Sequence, residues 1–600
     1  MRKKCFKQVI AVMMCTALLA GCSGSMTATT DKSSEADAAN DTSTENMQGD
    51  SVEKEEAQDI NEYHLRDKDL LYENDDETSV VTMYLTVSRG NSAENTDHSW
   101  EEINTYSVYD YDEMNVERYK VNGLLQVGDE NGPVAGEVGY GVDTPNATVC
   151  VRGQTSSRNQ QKNYKIELKK NKGTWREQRT INLNKHQGDS LRFRNKLMYD
   201  MMKDIPQIMS LRTQFVHLYV KDETAGSDGK FEDYGLYTQV EQLNKTALKA
   251  HGLDSNGQLY KINHFEFYRY EDVIKLQDDA SFDQKKFEEL LEIKGSTDHT
   301  KLIEMLEKVN DTSVPIQEVL EQYFDVENLT YWMAYMILTG NVDTQSRNVY
   351  IYSPLNSDKW YFLPWDNDAA FMNHEYETIG FAGKGSWECG ISNYWGNVLF
   401  QRCLKSDEFR KDLDQAIQEL RQFLNKERID NLVNEYKSVV KPFAYQMPDS
   451  MNEKLTSEQY DQIAASISDE VEENYQMYLE SLQKPMPFYI GVPTVKDGKL
   501  NINWDVAYDF DAETVTYTVE VAKDYAFQNV IYSQDELKLP EISIDIPEAG
   551  QYFVRIRAKN TSGEVQDAFD YYVTDEGKQW GMKCFYVNAD GTIGEDVYEE

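Results

Sequence analysis

The chain has 600 residues, 40% of them hydrophobic and 12% aromatic, which is too long for one compact domain and too apolar for disorder throughout. Its 104 acidic and 61 basic side chains give a formal charge of −43; such a surface repels nucleic acid and anionic headgroups and excludes general DNA or RNA binding. Cationic substrates, and anions delivered with a divalent metal, stay open.

Arg2, Lys3, Lys4 and Lys7 precede the apolar run VIAVMMCTALLAG, which ends at Cys22. A basic flank, a short apolar core and small residues before a cut site predict a secretory signal over 1–21 rather than a spanning helix. The tail Leu18-Leu19-Ala20-Gly21-Cys22 resembles a bacterial lipobox. It implies cleavage before Cys22, lipid on that cysteine and an extracytoplasmic protein anchored to the cell membrane. Loss of 1–21 removes four basic groups and no acid, leaving −47. Elsewhere no segment approaches the ~18 uninterrupted apolar residues of a span. Residues 22–60 carry no aromatic side chain and much Ser, Thr, Asp, Glu and Ala, so they read as a disordered acidic tether with a reach of about 35 Å. Of the later cysteines, Cys150, Cys389, Cys403 and Cys584 show no metal-ligand spacing and are expected as buried free thiols.

From about 62 to 180 the runs VVTMYLTVS, NATVCVRG and YKIELKK alternate as strands do. DSLRFRNKLMYDMMKDI then predicts a helix capped by Asp189 or Ser190, with Leu191, Leu197, Met198 and Met201 as its apolar stripe. Two more strands, QFVHLYVKD and YGLYTQVEQL, follow. FDQKKFEELLEI, TKLIEMLEKV and VENLTYWMAYMIL read as helices, NVYIYSP and KWYFLPW as a hairpin, and 406–485 as amphipathic helices. After Pro485 and Pro487 come short alternating runs at sandwich spacing, KLNINWDV, TVTYTVEVAKD, NVIYSQ, ISIDI and QYFVRIRAKN. They resemble a fibronectin type III module over 490–575, with 576–600 left as a tail.

The sharpest signal is GNVDTQSRNVYIY followed by WYFLPWDNDAAF. An Asp (Asp343), an Asn five residues on (Asn348) and an Asp beyond a two-stranded ribbon (Asp366) stand in protein-kinase order. There the first Asp accepts the substrate hydroxyl proton while the Asn and second Asp hold metal on the ATP phosphates. Asp368 is a further oxygen donor. Asn and Asp are also ordinary turn residues, but acids beside Trp360, Phe362, Trp365 and Phe371 would be costly without a cationic partner.

Four blocks in this order resemble the CotH family of bacterial spore-coat and secreted kinases, over roughly 80–445: VRGQTSSRNQQKNYKIEL, DSLRFRNKLMYDMM, YGLYTQVEQLN, and the pair just described. The resemblance implies an α+β fold, with an atypical protein-kinase-like two-lobe domain over 61–485, its N-lobe β-rich to about 240, followed by an all-β immunoglobulin-like sandwich. It implies ATP with Mg2+ or Mn2+ as cofactors and Asp343 as catalytic base, with Asn348, Asp366 and Asp368 at the metal. In the nucleotide site it implies Arg152, Ser156, Lys162, Lys165, Gln239 and Glu241. Lys162 and Lys165 are an odd number apart, so only one can enter the cleft; Lys162 is preferred. Backbone around Gln239 and Val240 would face adenine, and Glu241 would bind ribose or an interlobe cation. The expected acceptor is a Ser/Thr-containing surface or secreted protein, and the C-terminal module could contact cell wall or carbohydrate. Asn341 and Val342 stand where ordinary kinases have His-Arg, and no Walker motif is present. The competing reading is a non-catalytic adhesin or scaffold lipoprotein that keeps the fold; a polysaccharide hydrolase ranks third.

Overall fold

In the computed structural model the described residues are 65, 68–73, 75–226, 229–381, 383–575 and 577–595. The signal peptide, Cys22 and the tether lie outside them. No described helix is long and apolar enough to cross a membrane.

The N-lobe is a sheet that closes on itself. Its strands are β1 (Val80–Ser88), β2 (Val121–Asp129), β3 (Gly132–Pro133), β4 (Ala147–Arg152), β5 (Asn163–Leu168), β6 (Thr180–Asn184), β7 (Thr213–Asp222) and β8 (Glu232–Glu241). They run in the order β1-β7-β8-β6-β5-β4-β2-β3, and β1 also pairs with β2, which completes a barrel. Alternation puts Leu85, Val149, Ile166, Leu183, Leu218 and Tyr237 inside, under Trp100 and Ile103 of the short helix Trp100–Thr105. The opposite face carries Cys150, Arg152, Asn163 and Lys165.

The predicted helix after β6 is shorter than expected. It spans Arg194–Met202, its N-cap position is Phe193, and all nine residues are buried, so it has no solvent-facing stripe. Asp189 still serves its entry, since its carboxylate accepts the backbone N–H groups of Leu191 and Arg194 at 2.9 and 3.0 Å. This helix and Val326–Leu338 form the floor of the helical lobe's core, with Trp332, Trp360 and Phe362 fully buried beside them. A second sheet, β10-β9-β11-β12, lines the lobe's upper side: β9 is Gln258–Ile262, β10 Leu291–Ile293, β11 Val349–Ser353 and β12 Tyr361–Pro364. The end of FDQKKFEELLEI leaves its helix at Leu290 to become β10, because Leu291–Ile293 pairs with β9. The helices Asp407–Phe423, Lys426–Ala444 and Ser457–Gln483 close the lobe.

The C-terminal unit is a two-sheet sandwich. Thr494–Lys496, Lys499–Asn503 and Glu541–Asp545 form one sheet, and Val530–Leu537, Thr516–Ala522, Gly550–Lys559, Met582–Val587 and Ile593–Glu595 the other. Leu500, Ile502, Trp504, Val519, Ile556 and Phe585 fill the space between them. The boundary expected at 575 therefore falls short. Met582–Val587 pairs along Gly550–Arg555, so residues expected as a tail supply a strand of this sheet. Cys150, Cys389, Cys403 and Cys584 are free thiols; Cys403 and Cys584 are buried as expected, whereas Cys150 and Cys389 are only half-buried.

Candidate active site

Helix Val326–Leu338 ends where Gly340 takes a positive φ of 63°, and the following loop presents Asp343. Asn348 Nδ2 donates to Asp343 Oδ2 at 2.9 Å, while Arg347 Nε donates to Asp343 Oδ1 at 2.5 Å. Asn348 thus spends an amide N–H on the carboxylate and keeps its carbonyl oxygen for another partner. Across the hairpin Val349 pairs with Pro364, so Asn348 and Asp366 emerge at the same end of the ribbon. Asn341 Nδ2 donates to Asn367 Oδ1 at 3.1 Å, tying the Asp343 loop to the Asp366–Asp368 loop.

The electrostatics separate these acids. Burial pushes Asp343 above the usual carboxylate range, against the pull of Arg347. Burial and the neighbouring Asp368 push Asp366 up to about 6, against Arg152, His186 and Lys261. Burial works on Asp368 too, but its hydrogen bond with His186, Nδ1 to Oδ2 at 3.3 Å, outweighs it and holds Asp368 low. Two adjoining carboxylates, one carrying unrelieved repulsion, together with a free amide oxygen are the donor chemistry of a hard-cation site. Among the described residues no three His, Cys, Asp or Glu side chains converge into a ready cage.

Above this floor, Arg152 donates to Asn184 Oδ1, its guanidinium lies 5.9 Å from the Trp365 ring centre, and Asp366 is its strongest charged neighbour. The turn after it depends on Gly153, at φ 92°, where a Cβ would lie 2.0 Å from Ser156 Oγ. Ser156 Oγ itself accepts from Asn163 Nδ2 at 3.1 Å.

Four expected nucleotide residues are placed elsewhere. Lys162 turns back to donate to the Ser157 carbonyl at 2.7 Å, with Asp110 as its charged neighbour, so it braces the turn and does not reach the Asp366 group. Lys165 shares the Arg152 face but pairs with Glu167 at 3.1 Å near solvent. Gln239 lies opposite both Gln214 and Leu183, so its backbone is committed to the ladder on both sides and has no edge for adenine; its side chain donates to Gln178 at 2.9 Å. Val240 is paired on both sides in the same way. Glu241 is 1% exposed, and its carboxylate is taken by Arg212 at 2.5 Å and His251 at 2.9 Å.

The site also gathers residues that motif reading passed over. His186 belongs to none of the motifs, yet it holds Asp368. Asn195 fixes the same loop by accepting the Asn367 N–H at 3.1 Å. Lys261 of β9 lies opposite Tyr350 in the ladder and feels Asp366 and Arg152. Tyr350 stands edge-on to Trp365, and its hydroxyl accepts from Gln242 at 3.3 Å. Only the strand register could have pointed to Lys261, and no local pattern marks His186.

Against known families, the model described as CotH kinase protein matches residues 149–478, more than half of the chain. No curated protein matches. Among solved structures, the twitchin kinase region from C. elegans (Fn31-NL-kin-CRD-Ig26) is similar at 19% identity over 16% of this chain, with a TM-score of 0.11. The overlap spans 19% of that protein's own length.

Proposed function

The chain belongs to the CotH kinase family, and from that premise we propose that it is an extracytoplasmic lipoprotein kinase that phosphorylates Ser or Thr in surface or secreted proteins. The observation that carries this reading is the bond from Asn348 to Asp343 at one end of a hairpin whose other strand delivers Asp366, held near 6 by burial and Asp368. An anchor at Cys22 and a tether over 22–60 suit work at the membrane surface.

In this reading the acceptor hydroxyl oxygen bonds to the γ-phosphorus, the bond from that phosphorus to the β–γ bridging oxygen breaks, and ADP leaves with the electron pair. Asp343 takes the hydroxyl proton and returns it to solvent. Its raised pKa brings it nearer the working pH of a general base. Asn348 and Asp366, with Asp368 beside them, would hold Mg2+ or Mn2+, which supplies charge neutralisation at the phosphates. Arg152 binds phosphate from above, and Lys261 from the β9 side. Trp365 and Tyr350 wall off water.

Thermal denaturation with ATP, with and without Mg2+ or Mn2+, tests the proposal beside Asp366→Ala. A ligand that binds the native state raises the midpoint by mass action. A metal-dependent ATP shift that the variant loses supports the nucleotide site. No shift at millimolar ATP in either protein returns the non-catalytic adhesin reading.

A further inference from the structure

The sandwich carries an excursion that its own two sheets do not use. Between Val565–Asp567 and Met582–Val587 the chain runs out into a separate ribbon, Tyr571–Thr574 paired with Gly577–Trp580. This ribbon lies against the loop Gly383–Cys389 of the helical lobe. Trp580 Nε1 donates to the Gly383 carbonyl at 3.0 Å, and Ser386 Oγ donates to Asp567 Oδ2 at 2.9 Å. The Trp387 ring meets Trp580 and Phe569 edge to face, with centres 5.3 and 4.9 Å apart. Aromatic contacts backed by hydrogen bonds hold the two units in one arrangement, which a mere spacer does not need.

The loop so held borders the proposed base. Glu388 is half-buried in it, accepts the Gly385 N–H, and lies in electrostatic reach of Asp343, Lys384 and Lys578. Lys578 stands over the rings of Tyr571 and Trp580, 4.1 and 5.3 Å from their centres. Lys384 Nζ donates to Asn373 Oδ1 at 3.3 Å. Arg347, paired to Asp343, is exposed. In a chain of charge −43, two cations acting on Glu388 and a third paired with Asp343 run against the surface as a whole. Two of the three come from separate loops of the helical lobe and the other, Lys578, from the sandwich.

We propose that the ribbon Tyr571–Thr574/Gly577–Trp580 and the loop Gly383–Cys389 form one wall of the acceptor site, and that Lys384 and Lys578 select Ser or Thr segments with acidic flanks. The inference rests on the kinase reading. It makes the sandwich part of the acceptor site, where the sequence suggested a module for cell-wall contact.

The test uses the full chain, Mg·ATP and matched Ser peptides whose flanks are Glu, Ala or Lys, with phosphopeptide as the readout. The wild type should favour Glu flanks over Lys flanks by about tenfold or more, the scale of a rim charge pair counted twice. Lys384→Glu with Lys578→Glu should reverse that order. The Mg·ATP shift in melting midpoint should persist in that variant, which checks that it is folded. Trp580→Ala, which loosens the wall without changing charge, should raise KM for the Glu-flanked peptide more than it lowers kcat. An unchanged order in the double variant, a wild-type preference for Lys flanks, or a wild type that binds Mg·ATP and phosphorylates none of the peptides overturns the inference. A wild type without any Mg·ATP shift removes the kinase reading, and the inference with it.

Discussion

Asn348 and Asp366 bracket one hairpin, Asn348 directly before β11 and Asp366 two residues after β12, and both take φ of 56°. Left-handed backbone is uncommon for residues other than glycine and least costly for Asn and Asp. His186 and Phe371, also around this site, share it at 48° and 54°. Backbone of this kind persists where packing over-determines it, and it gathers at functional sites. The ribbon therefore acts as a rigid holder, and its paired end at Val349 and Pro364 sets where both side chains start.

The two acids should fail differently. Asp343→Asn keeps the Mg·ATP shift and lowers kcat by about 10²–10⁴, the usual worth of a general base. Asp366→Asn removes the metal-dependent shift, and it should raise the midpoint of the metal-free protein at pH 7, because the variant no longer has to ionise a buried carboxyl pushed up to about 6. Equal loss of nucleotide binding in both variants would contradict these roles.

Arg152 and Lys162 make a second contrast. Arg152→Met should weaken Mg·ATP binding roughly tenfold or more, since a charge-assisted phosphate contact is lost. Lys162→Met should cost about 1–2 kcal/mol of stability through the Ser157 carbonyl it leaves unpaired, with nucleotide affinity within about twofold of wild type. Calorimetry of ATP binding beside urea denaturation separates the two. A larger affinity loss for Lys162→Met would restore it to the nucleotide site.

The Asp343 loop and the hairpin were legible because their pattern is local: an apolar helix, a loop Asp, and strands whose ends carry Asn348 and Asp366 in sequence order. The nucleotide wall was less so. Whether Gln239 offers free backbone depends on β8 having a partner on each side, and β6 and β7 reach it from different parts of the chain. Lys162 lies just ahead of β5, which begins at Asn163, so strand alternation does not set its direction, and which face of the strand meets the cleft is decided by barrel closure through β1 and β2. His186 and Lys261 become neighbours of Asp366 only through tertiary packing, which spacing cannot show. The sandwich boundary erred because the ribbon 571–580 interrupts two paired strands, so the sequence pattern seemed to stop before Met582.

Arg194 holds the floor of the site. It is fully buried, pairs with Asp189 and with Glu375 at 2.6 Å, and donates Nε to the Phe371 carbonyl at 2.9 Å, pinning the loop that follows Asp368. Arg194→Met leaves two buried acids without their cation, which should cost about 3–5 kcal/mol in urea denaturation. A cost below about 1 kcal/mol would mean that the two acids take up protons without disturbing the loop.

Glu241 offers the cleanest pH test. Burial alone would raise its carboxyl, but His251 and Arg212 outweigh burial and bring it from 4.5 down to about 2. A depressed acid stabilises the folded state fully above its unfolded pKa and loses that contribution as pH falls through the folded value. The window is therefore about pH 4.5 to 2, and the full effect is about 3 kcal/mol. Glu241→Gln should lower stability at pH 7 by up to about that much and flatten the acid limb of the stability curve across the same window. Mg·ATP binding should stay within about twofold of wild type, because a carboxylate shared between Arg212 and His251 has little left for ribose. If the variant instead lost nucleotide affinity and kept the wild-type acid limb, Glu241 would belong to the cleft, and the Arg212–His251 cluster would open when nucleotide binds.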